Sequence, residues 1–487
     1  MSWYEKDLRT AQKALTFINE TYGGQPMLVS GAPGNRSVMT YHEFYLNTRT
    51  CSYGYYKAGY CGGRKIALLG ENSPQWLLHF WAILSGGNIA VLPDKAQTPE
   101  FLARLLKRMD TECIVCSKEY QSEGSEIAEK LGIEVLPMIS EEVDANEVPE
   151  DFHPEVRERD TALIAFTSGT TGEPKGVVLS HESFMYSELI GLDHFPLNGS
   201  TAAILPMHHM YGLNMGVTIC MLAGLKILIS SSLRYIPMDV METEPEFLCV
   251  VPLVMETLYP VFQTMKAKGL RLPEVVLSGG APISREWCEK YEELGIPVYN
   301  GYGITECAPG IAISLTPARG PESGMTPIMD VRIENPDAGG NGEIAVKGPN
   351  VFDGYYGQPE ETAKAIRDGW YHTGDIGRID AEGLLYITGR LKNLIILANG
   401  ENVAPEELES ELEQNPLIGE VIVRQDDNEL AAEIYPKDPD AFDAETEAKL
   451  REEIFEWTKN YPAFKRITKV MIRKTPFDKT ATMKIRR

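Results

Sequence analysis

The 487-residue chain is short of positive charge: 46 lysines and arginines face 70 aspartates and glutamates, giving a formal charge of −24. No extended basic surface can be built from that balance, so a nucleic-acid partner is not expected. A small polyphosphate remains admissible, because backbone N–H groups, one or two cations and a metal ion act locally against a screened global field. Cysteine is scarce and scattered, with eight residues. The one close pair, Cys113 and Cys116, falls in ECIVC, which reads as a buried strand and not as a redox or zinc motif. Long apolar runs are missing too. The most apolar long stretch, 211–230, holds Lys226 and three glycines and divides into a helix and the strand LKILIS, so no membrane span is expected. The opening MSWYEKDLRTAQKALTF mixes charges and lacks the apolar stretch of a signal peptide, which makes a reducing cytoplasm the expected location. Pro- or Ser-rich linkers, internal repeats and low-complexity tracts are also lacking.

What is present is ample apolar material, 43% of the residues, in a chain longer than the ~250 to 300 residues one core usually serves, so two or more domains are expected. Short β-branched runs at 65–70, 88–93, 202–206, 226–230, 247–252 and 274–279 recur with helical stretches between them, which predicts α/β architecture. Two helices carry start signals: Ser73 followed by Pro74, and Thr98 followed by Pro99. Beyond about Arg390 the pattern changes to strands GEVIVRQ and ELAAEIYP, a charged amphipathic helix and a last strand ITKVMIRK, a small α+β domain. The expected organisation is a large multi-sheet α/β domain over 1–389 and a smaller α+β domain over 390–487, joined near 389–393 by a short hinge.

The densest chemical signal is TSGTTGEPKG at 167–176, between the apolar runs TALIAF and GVVLS. Three glycines let the backbone curl around an anion; Thr167, Ser168, Thr170 and Thr171 supply hydroxyl donors beside Gly169, and Lys175 supplies a cation. The segment lacks the GxxxxGK[ST] order and joins strand to strand, so a Walker mechanism is not indicated. A surface hairpin would explain the Gly and Pro residues, but not so many hydroxyls plus a lysine in one window. Downstream, LSGGAP at 277–282 and NGYGITE at 300–306 place small residues at strand ends, where ligands of open α/β sheets gather. Asp375 in YHTGD reads as a carboxylate in a tight turn, suited to sugar hydroxyls, with the fixed donors of Arg390 fifteen residues on. His372 reads as structural. The pair His208–His209 invites a metal reading, but adjacent side chains on a strand point to opposite faces and cannot easily share an ion.

The loop at 167–176 resembles the signature of the adenylate-forming superfamily, which includes acyl-CoA synthetases, luciferases and peptide-synthetase adenylation domains; further segments match in the same order over nearly the whole chain. The resemblance implies ATP, Mg²⁺ and coenzyme A as reactants and cofactor, and activation of a fatty or aromatic carboxylic acid to an acyl-adenylate and then a thioester. It assigns Gly280, Ala281, Pro282, Asn300, Gly301, Tyr302 and Gly303 to AMP, with Tyr302 stacked on adenine, and Asp375 and Arg390 to the ribose. Thr305 and Glu306 join the catalytic set, Glu306 as a magnesium ligand. His209 is placed beside the acyl carboxylate and the thiol tunnel, Lys484 on the carboxylate and α-phosphate, Lys392 at the hinge of a mobile C-terminal domain, and Gly400 and Glu401 at the tunnel. Met483 stands where the family usually has glycine. Two rivals stay open. One is an adenylation enzyme that loads an acyl or amino acid onto a carrier-protein thiol, disfavoured for amino acids because such enzymes place an aspartate soon after the histidines, where this chain reads YGLNMGVTIC; the other is a regulatory nucleotide binder, which acid-dependent pyrophosphate release would separate.

Overall fold

A computed structural model describes residues 2–138, 147–167, 174–195, 197–396, 402–426, 429–459, 461–462, 465–479 and 485. Among the described residues, three larger sheets, a two-stranded pair and a three-stranded C-terminal sheet carry the architecture. The seven-stranded sheet shows how the sequence pattern makes layers. In its strand Lys65–Leu69, Ile66 and Leu68 face one core while Ala67 and Leu69 face another. Strands buried on both faces read as continuous apolar runs, and the helices that cover them follow in sequence. Pro74–Ser85 packs on the first face; Pro99–Arg108 and Gln121–Leu131 pack on the second. The predicted caps are in place: Ser73 Oγ accepts from Trp76 N at 3.1 Å and Thr98 Oγ1 from Phe101 N at 3.3 Å. Cys113–Cys116 is a fully buried strand of the same sheet, and its cysteines are free thiols.

The nine-stranded sheet has parallel central strands, among them Ser200–Ala203, Phe247–Val250, Val275–Gly279 and Val298–Gly303, and antiparallel strands at both edges. The run expected as a strand over 202–206 is displaced: the strand is Ser200–Ala203, and Pro206 to His209 form a turn. A five-stranded sheet pairs Trp370–Ile379 with both Gly342–Lys347 and Leu385–Arg390.

One hydrophobic core gathers residues from Leu8 to Leu385 and a separate one residues from Ile395 to Val470, the latter under the strands Ile418–Asp426, Glu429–Pro436 and Ile467–Ile472 and the helix Ala444–Thr458. Between them lies a single 3₁₀ turn, Leu391–Asn393, directly after Arg390. No helix among the described residues is long and apolar enough to cross a membrane.

Candidate active site

The strands Val275–Gly279 and Val298–Gly303 run parallel and in register, Gly279 opposite Gly301, so the two glycine-bearing segments end side by side. Gly280 follows with a positive φ of 79°, a conformation that favours glycine, and leads into Ala281 and Pro282. Internal packing already requires two of the glycines. A Cβ on Gly279 would stand 2.9 Å from the Tyr211 ring, and one on Gly303 would stand 2.1 Å from the carbonyl oxygen of Pro309. At Gly301 the nearest atom would be 3.5 Å away, so this position keeps room for a neighbour. Asn300 is tied to the next strand by reciprocal bonds with Ser314, each 2.8 Å.

Asp375 lies close to this strand end. The sequence suggested a turn; the structure instead places the residue inside the ten-residue strand Trp370–Ile379, at an irregularity where three residues separate His372 from Ile376 opposite a single residue of the partner strand. Gly374, at φ 71°, supplies the left-handed residue that such a bulge needs. The fifteen-residue interval to Arg390 is then a cross-strand pair. Arg390 Nε is 2.9 Å from Asp375 Oδ1, and the Tyr302 hydroxyl donates to Asp375 Oδ2 at 2.7 Å. A buried carboxylate is thus held between an aromatic hydroxyl and a guanidinium, 73 residues apart in the first case. His372 is bound to Glu343 at 3.0 Å, in keeping with a structural role.

Glu306 sits in the 3₁₀ turn Thr305–Cys307 and is buried. Burial raises its carboxyl above the usual range, the charge of Asp375 adds to the rise, and the Tyr355 hydroxyl, donating to Oε1 at 2.8 Å, opposes it. The other side of the same tyrosine meets Lys175, whose Nζ lies 4.6 Å from the ring centroid. Lys175 is also paired with Glu361 at 2.7 Å, and hydrogen bonds from Lys175 and Lys364 pull the Glu361 carboxyl down to about 2. The base of the phosphate-loop candidate is a strand-to-strand connection, as expected: Thr161–Phe166 pairs antiparallel with Gly176–Ser180, Thr167 N donates to Lys175 O and Lys175 N to Thr167 Oγ1. Ser168, Gly169, Thr170 and Thr171 lie outside the described residues, as do Gly400, Glu401 and Lys484.

The histidine pair departs from the expectation. His208 and His209 do not alternate on a strand but share a turn, with ring centroids 4.2 Å apart. His208 Nε2 is 3.4 Å from Asp94 Oδ1. Burial, then the neighbouring His209, push His208 down to about 3; burial likewise lowers His209, with Asp94 opposing. Both rings are neutral near pH 7. Among the described residues no group of three or more histidine, cysteine, aspartate or glutamate side chains is arranged to hold a metal ion. Tyr355, Glu361, Asp94 and Tyr211 had no signal in the sequence. Tyr211 donates to the carbonyl of Leu277 at 2.7 Å and so ties the turn with the histidines to the glycine-bearing strand.

Residues 17–356 match the family model described as AMP-binding enzyme, and residues 392–487 match AMP-binding enzyme C-terminal domain. Feruloyl-CoA synthase of Amycolatopsis sp is 30% identical over 395 residues, covering 77% of this chain and 78% of that protein. 4-coumarate–CoA ligase 1 of Arabidopsis thaliana is 29% identical over 461 residues, covering 85% and 80%. In fold, the chain is similar to ATP-bound MatB of Rhodopseudomonas palustris, at a TM-score of 0.83 and 24% identity over 98% of this chain and 97% of that one. It is also similar to o-succinylbenzoate coenzyme A synthetase (MenE) of Bacillus subtilis, in complex with ATP and magnesium ion, at a TM-score of 0.79 and 22% identity over 97% and 98%.

Proposed function

Because this chain belongs to the AMP-binding enzyme family, as an AMP-forming acid–thiol ligase, we propose that it activates a small carboxylic acid as its acyl-adenylate and transfers the acyl group to the thiol of coenzyme A. A carboxylate resists nucleophiles because its carbonyl is resonance-stabilised, so it first needs a leaving group. In the first half-reaction a carboxylate oxygen attacks the α-phosphorus of ATP and the bond to pyrophosphate breaks. In the second the thiol, losing its proton, adds to the acyl carbon and AMP departs. Positioning and charge neutralisation supply most of the rate in the first step.

The observation that carries this reading is the Tyr302–Asp375–Arg390 constellation at the ends of two glycine-bearing strands. Asp375 accepts the ribose hydroxyls, Arg390 orients the carboxylate, and Tyr302, fixed through its hydroxyl, presents its ring to the adenine beside Gly280, Ala281, Pro282, Asn300, Gly301 and Gly303. The loop from Thr167 through Ser168, Gly169, Thr170 and Thr171 to Lys175 receives the phosphates. Glu306, beside Thr305, fits a magnesium ligand. It is a hard oxygen donor whose ionised form is disfavoured by burial and by Asp375, so a nearby divalent cation offsets both. Bound Mg²⁺ supplies neutralisation of phosphate charge. Neutral His209 stands near the reacting carboxylate without adding charge. Lys484 stabilises the charge that develops on the α-phosphate. The domain over 1–389 binds ATP and acid, and that over 390–487 turns about Lys392 to exchange Lys484 for Gly400 and Glu401, which border the thiol tunnel.

The relatives' names favour aromatic over fatty acids and coenzyme A over a carrier-protein thiol. The test is acid-dependent pyrophosphate release with hydroxamate trapping of the acyl-adenylate. Lys484→Ala is expected to lower that release by about 10² to 10³. ATP binding with no acid-dependent release in the unaltered protein is the outcome that refutes the proposal.

A further inference from the structure

The segment from Asn350 to Tyr356 bridges two groups that lie far apart in sequence, Glu306 and Lys175. One end is bonded to the turn that carries Glu306. Asn350 Nδ2 donates to the carbonyls of Cys307 at 2.9 Å and Gly310 at 2.7 Å, and Phe352 N donates to Glu306 O at 2.9 Å. Asn350 is fully buried, so these bonds are made out of reach of water, where losing one is costly. The other end is zipped to the strand that begins directly after Lys175. Gly354–Tyr355 pairs antiparallel with Gly176–Ser180, Asp353 N donates to Val178 O at 2.9 Å and Tyr356 N to Gly176 O at 2.8 Å.

Tyr355 rises from this brace on a fixed base. Its backbone N donates to Thr362 Oγ1 at 2.9 Å, and its ring meets Phe352 edge-on with centroids 4.8 Å apart. From there it serves two neighbours by two different properties. The hydroxyl donates to Glu306 Oε1 at 2.8 Å, while the ring lies under Lys175 Nζ, 4.6 Å from its centroid. A phenylalanine could serve only the ammonium, and a serine only the carboxylate. The Tyr371 hydroxyl donates to the same Glu306 carboxyl. An ionised carboxylate offers about four lone-pair sites, so two donors still leave places for a hard cation. A hydroxyl bonded to one oxygen limits the torsional freedom of the glutamate before any cation arrives, and partners of this kind are worth about 10- to 100-fold in metal affinity.

Resting on the reading above, in which Glu306 takes magnesium and Lys175 meets the phosphates, we propose that Tyr355 is a positioning residue of the nucleotide site: its hydroxyl aims the Glu306 carboxylate at the metal, and its ring seats the Lys175 ammonium at a set distance from that carboxylate. The two groups that neutralise phosphate charge are thereby spaced by one rigid side chain.

The experiment measures binding of α,β-methylene-ATP to the full chain by calorimetry, without acid and so without turnover, once in EDTA and once with Mn²⁺. The ratio of the two affinities is the contribution of the metal. Tyr355→Phe keeps the ring and is expected to lower that ratio by about tenfold or more while leaving the affinity in EDTA unchanged. Tyr355→Leu removes the ring as well and is expected to weaken binding in EDTA by about fivefold. In a Glu306→Gln background, where the ratio is already lost, Tyr355→Phe is expected to change nothing further, because both act through one contact. A full ratio in Tyr355→Phe overturns this proposal alone, as does a loss of equal size with and without metal or a further loss in the Glu306→Gln background. If Tyr355→Leu leaves the affinity in EDTA unmoved, the ring does not seat Lys175. An intact ratio in Glu306→Gln overturns Glu306 as the metal ligand and this proposal with it, and no nucleotide binding by the unaltered chain overturns the acid-activating reading as well.

Discussion

At Asp375 one carboxylate serves two neighbours, and the chemistry of each oxygen is set by a different part of the chain. Asp375→Asn keeps the shape but removes the ion pair with Arg390 and turns one acceptor into a donor. The expected outcome is a KM for ATP raised by about tenfold with the fold intact, measured by pyrophosphate release at saturating acid; an unchanged KM would detach the residue from nucleotide binding. How much of this was legible differs by atom. The identities of Asp375 and Arg390 follow from the resemblance, but their pairing across a bulged strand does not, because register depends on Gly374 and the strand opposite. Tyr355 and Glu361 left no trace in the sequence. They reach Glu306 and Lys175 from 49 and 186 residues away, and no local pattern encodes such distances.

Among the elements, helix starts were the most legible, since a Ser or Thr cap followed by Pro acts within four residues, as at Ser73 and Thr98. Strand ends were less so. The glycines at 279 and 303 read as room for a base, whereas Tyr211 and Pro309 occupy the space beside them. That difference gives a paired prediction. Gly303→Ala forces a methyl against the backbone of Pro309, which cannot yield as a side chain can, and is expected to cost about 1–3 kcal/mol in urea unfolding. Gly301→Ala meets only ordinary contact and is expected to leave stability near that of the parent while weakening nucleotide binding. Equal stability losses in the two variants would mean that neither glycine faces the ligand.

For the whole molecule, two properties emerge from many residues together. Three histidines, the buried His79 and His181 pushed down to about 4 and the largely buried His208 to about 3 chiefly by desolvation, bind protons in the unfolded chain below pH 6.5 but not in the folded one until much lower pH. Their contribution to stability is complete above pH 6.5 and is lost as pH falls towards 4. Unfolding free energies from urea titrations are therefore expected to drop between pH 7 and pH 5, by up to roughly 1 kcal/mol per pH unit for each histidine; a flat profile would contradict their being held as neutral rings. The second property is division. Two separate cores meet at one short turn containing Lys392, within the 389–393 segment that the sequence marked as a short hinge. Lys392→Pro fixes one torsion of that turn and is expected to block thioester formation while sparing adenylation, read as separate half-reactions.

The shared grip on Lys175 has a consequence for timing. Its ammonium is already engaged by Glu361 on the short helix Pro359–Ala365, so an arriving polyphosphate competes for a cation that is in use. If the loop receives phosphates as proposed, nucleotide that draws Lys175 away from Glu361 is expected to raise deuterium exchange over Pro359–Ala365 when ATP is added without acid, and unchanged exchange there would detach Lys175 from nucleotide binding.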